Sequence, residues 1–190
     1  MRGILEDILD RLQDEFPVAE MLAKVEDRTP YIIVAFQECD RMNTLTREMK
    51  RSLRELDLGL KGELTISSDM EILQESLFMD NVPDTWSVKA YPSMLPLGQW
   101  VGDLGARIKE LENWVTDFSM PPAIWLGGFF NPQSFLTAIM QQTARKNEWP
   151  LDRMCLLTDV TKKTKDEFNA APREGAYVHG LFMEGARLVI

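Results

Sequence analysis

Gly127-Gly128 is the pair in this chain that most resembles chemical equipment. It follows the apolar run Ala123-Ile124-Trp125-Leu126 and precedes Asn131-Pro132, and glycines between a strand and a helix expose backbone N–H groups that attract phosphate. A nucleotide loop needs a Gly-Lys-Ser/Thr continuation. Here Phe129-Phe130 fills the place where such a loop is small, and Asn131-Pro132 accounts for the turn as a helix cap. His179, the only histidine, stands in Tyr177-Val178-His179-Gly180-Leu181. An imidazole can serve as a general base, but it needs a positioned nucleophile or carboxylate, and the sequence sets none beside it. One histidine with the distant thiols Cys39 and Cys155 also lacks the close-spaced pairs of a zinc set. No catalytic, cofactor-binding or metal-binding residue is assigned.

Charge is the second chemical resource. Glu38, Asp40, Glu48, Glu55 and Asp57 share one helical stretch with Arg41, Arg47, Lys50, Arg51 and Arg54. Mixed signs at these spacings read as a solvated, pair-laced surface; the sharper reading is a charged docking face for a neighbouring domain. Lys162-Lys163-Thr164-Lys165 is a short basic run, either a plain loop or a contact with an acidic surface.

The elements that position these residues follow from periodicity. Ile4, Leu5, Ile8, Leu9 and Leu12 predict a short amphipathic helix over 3–15, stopped by Pro17, with a helical turn or loop at 18–27. Thr29-Pro30 gives a capping hydroxyl and a proline at the first helical position. The stripe Phe36, Cys39, Met42, Leu45, Met49, Leu53, Leu56 then predicts a long helix leaving at Gly59 and Gly62. Ser68-Asp69-Met70-Glu71 has capping-box spacing and opens a helix carrying Met70, Leu73 and Leu77. After a proline-rich stretch anchored by Trp86 and Tyr91 comes the cleanest stripe: Leu97, Val101, Leu104, Ile108, Leu111, Val115 and Phe118, widened by Trp100 and Trp114. It reads as helix core, with a partner-binding seam as the alternative. Beyond Pro121-Pro122, strands are predicted at 123–126, 154–160 and 176–183, with a helix over 132–147 turning Phe135, Leu136, Ile139 and Met140 inward. The fold class is α+β and mostly helical: a helical part at 1–120 and a mixed part at 121–190.

Composition narrows the partners. A 190-residue chain with 45% apolar and 27% charged residues and five tryptophans has material for a sizeable core. Its formal charge of −9 opposes phosphate backbones and anionic lipid, so neither nucleic acid nor a membrane is an expected partner. With Cys39 and Cys155 as the only thiols, a reducing compartment is expected. No apolar run approaches the ~20 residues of a spanning helix, and the start Met1-Arg2-Gly3-Ile4-Leu5-Glu6-Asp7 lacks a signal-peptide core. The chain reads as soluble and intracellular.

Four blocks carry a resemblance. They are Trp125-Leu126-Gly127-Gly128-Phe129-Phe130-Asn131-Pro132 with its helix to Ala138; Gln37 to Asn43 with Ser52 to Gly62; Trp100 to Trp114; and Pro172 to Ala186. In order and spacing they are similar to the C-terminal region of axonemal dynein heavy chains, after the sixth AAA+ module. The last block looks most like the outer-arm β-type branch. The resemblance covers residues 3–187 and implies a helical part followed by a small β-barrel-like part, lying on one face of the AAA+ ring of the same heavy chain. It further implies a cytoplasmic, cytoskeletal place in the axoneme of cilia and flagella, with other dynein subunits and axonemal microtubules reached through the whole motor. The family's nucleotide sites and microtubule-binding stalk lie upstream, so the segment is not expected to be an enzyme by itself. Family members commonly continue after Gly185-Ala186 with a tryptophan-aspartate pair and further strands, whereas this sequence reads Arg187-Leu188-Val189-Ile190. The barrel part is therefore expected to be abbreviated, with an open edge at 176–190.

The residues expected to matter are structural: Trp100, Leu104, Ile108, Leu111 and Trp114 on the helix stripe, and Gly127, Gly128, Asn131 and Pro132 at the turn. The alternative function is a free-standing helical module for protein–protein interaction.

Overall fold

The computed structural model describes residues 2–181. Among them are seven α-helices and one two-stranded sheet, a mostly helical α+β fold. The chain divides into two compact units, one of Met1–Glu26 and Phe36–Glu112, the other of Asp27–Ala35 and Asn113–Ile190.

In the first unit, α1 (Arg2–Arg11) and α2 (Val18–Lys24) precede the body of α3 (Pro30–Lys61). The α3 stripe is buried at every position named for it, from Phe36 through Cys39, Met42, Leu45, Met49 and Leu53 to Leu56. The linker between α1 and α2 leaves helical geometry before Pro17, so the backbone of Phe16 needs partners outside a helix. Asn43 on α3 supplies both: its amide nitrogen donates to the Phe16 carbonyl at 2.9 Å, and its side-chain oxygen accepts from the Phe16 N–H at 2.8 Å. Asn43→Ala leaves two buried backbone groups unsatisfied and is expected to cost about 2–4 kcal/mol. The urea midpoint of the purified protein tests this, and an unchanged midpoint contradicts it.

Two helix ends differ from expectation. The exit of α3 lies at Lys61, so Gly59 is inside the helix, where a Cβ would come within 3.3 Å of the Met70 sulfur. Gly62, at φ 78°, makes the stop: its N–H donates to the Gly59 carbonyl and that of Glu63 to the Leu58 carbonyl, each at 3.0 Å. For α4 (Ser68–Phe78) the cap is Ser67, with extended φ −92° and its hydroxyl accepting from the Met70 N–H at 3.4 Å. Ser68 is already helical, which moves Glu71 to the fourth position, one beyond the reach of a reciprocal box.

Asp80 sits at φ 55° just after α4 and ends that helix. It also starts α6 (Leu97–Val115): its carbonyl accepts from the Leu97 N–H at 2.8 Å and its carboxylate from the Gly98 N–H at 2.9 Å. Between them, α5 (Asp84–Ser87) carries Trp86, whose indole N–H donates to the Ser52 hydroxyl at 3.0 Å. Trp86 stacks on Trp100 at 6.2 Å, Trp100 on Tyr91 at 6.0 Å, and the Arg107 guanidinium lies 3.5 Å from the Tyr91 ring centre. Asp103 fixes Arg107 with a 2.7 Å bond. Burial, with the Asp103 charge adding to it, pushes the Tyr91 phenol well above its ordinary range.

In the second unit, Thr29 caps the start of α3, its hydroxyl accepting from the Ile32 N–H at 3.4 Å. The α6 helix stops at Val115; Phe118, expected to continue the stripe, lies beyond it at φ 57°. The strand β1 (Ile124–Trp125) pairs in parallel with β2 (Val178–His179), Ile124 against Val178 and Trp125 against His179. A tight turn at Leu126–Gly128 leads to α7 (Pro132–Asn147).

Two strand expectations are corrected. Residues 154–160 form no strand, because an extended apolar run becomes one only by pairing, and among the described residues this segment has no ladder partner. Of the strand expected at 176–183, only Val178 and His179 are paired; Phe182 and Met183, like the expected edge beyond them, lie outside the described residues.

Candidate functional site

The Gly127-Gly128 turn is built around the Trp125 indole. A Cβ on Gly128 would come within 2.9 Å of the Trp125 ring, and one on Gly127 within 3.1 Å of the Gly180 carbonyl. Gly180, at φ 76°, faces the same ring: a Cβ there would lie 2.5 Å from the indole nitrogen. Three glycines from two chain segments thus accommodate one tryptophan, and the close approach is of backbone to indole. The space beside Gly128 that a phosphate would need is taken by that ring. At the start of α7, Asn131 accepts from the Ser134 N–H at 3.3 Å and Pro132 occupies the first helical turn, so the helix entrance has its own cap.

Behind the turn lies an aromatic cluster. Phe135 on α7 is fully buried, with Tyr31 at 5.9 Å, Phe129 at 5.4 Å and Trp114 edge-on at 5.9 Å. Trp114 also meets Phe129 at 5.8 Å. Of the stripe residues, Trp100, Leu104, Ile108 and Leu111 are buried in the first unit and Trp114 in the second. Ala138 and Ile139 are buried beside Phe135, while Leu136 and Met140 are half-covered.

His179 is half-buried on β2 opposite Trp125. Cys39 is buried, and desolvation, reinforced by Asp40 and Glu38, pushes its thiol far up, which suppresses the nucleophilic thiolate; Cys155 is exposed. Among the described residues, no three or more His, Cys, Asp or Glu side chains are grouped to hold a metal, and no helix is long and apolar enough to cross a membrane.

The charged face of α3 is pair-laced, with one exception to the expected surface. Arg51 bonds Glu48 at 2.6 Å and Glu55 at 3.0 Å, Lys61 bonds Asp57, and Arg47 bonds Glu15 at 2.6 Å. Glu48 also receives Lys89 at 2.6 Å, and these hydrogen bonds hold its carboxyl below the usual carboxylate range. Glu38, by contrast, is buried: it sits one helical turn before Met42 and so shares the core-facing side. Lys162 and Lys163 are exposed, and Thr164 with Glu167 forms a reciprocal cap on the turn at Lys165–Glu167. Sequence reasoning missed Asn43, Asp80 and Gly180. Gly180 within an apolar alternation was the one legible signal of close backbone approach.

The architecture is that of a helical structural domain, with its aromatic side chains and glycines committed to packing. The sequence matches the family described as the C-terminal domain of the dynein heavy chain over residues 1–189, and it belongs to that family. It is 65% identical over 187 residues to the ciliary dynein beta chain of Tripneustes gratilla, covering 98% of this chain and 4% of that protein. It is 66% identical over 186 residues to the dynein axonemal heavy chain 9 of Homo sapiens, with 98% of this chain and 4% of that one covered. To the flagellar outer-arm dynein beta chain of Chlamydomonas reinhardtii it is 51% identical over 187 residues, 97% of this chain and 4% of that one. The chain therefore spans about 4% of the length of these relatives.

Proposed function

We propose that this segment is a non-catalytic brace that packs on the AAA+ ring of its own heavy chain and modulates ATP-driven, microtubule-based motility of cilia and flagella. The relatives are ciliary and flagellar chains, and its place is the cytoskeletal axoneme. The observation that carries the reading is the commitment of the glycine turn to Trp125: the feature most like a phosphate loop is filled by a side chain. The helical part at 1–120 would transmit force, the part at 121–190 would fasten it, and other subunits and microtubules would be engaged only through the whole motor. The purified segment is expected to hydrolyse ATP no faster than the buffer control. Turnover that disappears in Gly128→Ala while folding persists would overturn the brace and favour an enzyme.

A further inference from the structure

The bonds from Asp80 to Leu97 and Gly98 set the end of α4 beside the start of α6. Large apolar side chains flank that junction on both segments, and they face outward. Phe78 is 71% exposed, Met79 58%, and Met94, three residues before the Leu97 N–H, is wholly exposed. Isolated apolar side chains on a surface need no explanation, but an aromatic and two methionines gathered at one hydrogen-bonded junction form a patch. Methionine adapts its shape to a partner and phenylalanine supplies an anchor.

The charge around the patch is one-sided. Residues 68–97 contain Asp69, Glu71, Glu75, Asp80 and Asp84 against Lys89 alone, and Lys89 is committed to Glu48 at 2.6 Å. An acidic rim around an apolar centre complements a surface of opposite sign and repels other acidic faces. A second copy of this chain, itself at −9, is a poor electrostatic match.

We infer that the α4–α6 junction, centred on Phe78, Met79 and Met94, docks an apolar surface rimmed by lysine and arginine, supplied by the upstream part of the same heavy chain. The relatives' length supports that choice of occupant, since the matched segment is about 4% of each. This inference rests on the brace reading and gives it a specific contact.

The test is site-specific photo-crosslinking in the full-length heavy chain, with benzoylphenylalanine at position 94 and, separately, at position 54 on the exposed face of α3. From position 94 the expected product is an intrachain link to an upstream segment containing Lys or Arg. Its yield should fall about tenfold with Phe78→Ser and Met79→Ser together, the loss of a hot-spot contact. It should also fall as salt is raised toward 1 M. Silence or links to a separate polypeptide from position 94, with intrachain ring links from position 54, overturn the junction and leave the brace standing. Silence from both positions overturns both.

Discussion

Trp100→Ala is expected to lower the stability of the first unit by about 3–5 kcal/mol, the cost of removing a large buried aromatic. Trp100 is fully buried between Trp86 and Tyr91, so truncation opens a cavity and removes two stacked contacts at once. The neighbours are poorly placed to collapse into the gap. Trp86 is tied to Ser52 by its N–H, and Tyr91 lies under Arg107, itself held by Asp103. Trp100→Phe keeps a stacked ring and should cost less than half as much. Urea unfolding of the purified protein, followed by tryptophan fluorescence, measures both. A loss below about 1 kcal/mol for the alanine variant would show that the ladder contributes little.

The second large effect is expected at Gly180. Gly180→Ala forces an alanine into the left-handed region, at about 1–2 kcal/mol, and drives its Cβ into the Trp125 indole, at about 1–3 kcal/mol more. Gly175 separates the two causes: it has φ 80°, yet a Cβ there meets nothing within 4 Å. Gly175→Ala should therefore show the backbone cost alone. The readouts are the unfolding midpoint and hydrogen exchange of the Ile124 amide, which donates to the Tyr177 carbonyl at 2.8 Å beside the turn. Equal effects from the two substitutions would mean that the glycine–tryptophan contact is relaxed at little cost.

These residues also show where sequence reading succeeds. The α3 and α6 stripes were legible because a buried helical face repeats every three or four residues, and that repeat is written along the chain itself. The start of α7 was legible because asparagine and proline act on groups within three residues of themselves. Ser67 and Ser68 defeated the reading by one position: both can cap, and only the backbone decides which of them stands outside the helix. Asn43 and Asp80 were out of reach for another reason. Their partners, Phe16 and Leu97–Gly98, are distant in sequence, and no local pattern encodes which backbone groups they will find. Residues 154–160 carry strand-forming side chains, but a strand also depends on a neighbour that the segment does not itself contain. For the same reason, glycine at 127 and 128 was legible as a close approach, whereas the object approached, Trp125 two to three residues away, was not.

The most direct test of the brace is the ratio of microtubule gliding velocity to ATP turnover, measured with full-length heavy chain and with a heavy chain lacking this segment. The account predicts that the shortened motor still hydrolyses ATP but moves a different distance per ATP consumed. An unchanged ratio, or loss of hydrolysis that adding the purified segment restores by its own turnover, would contradict it.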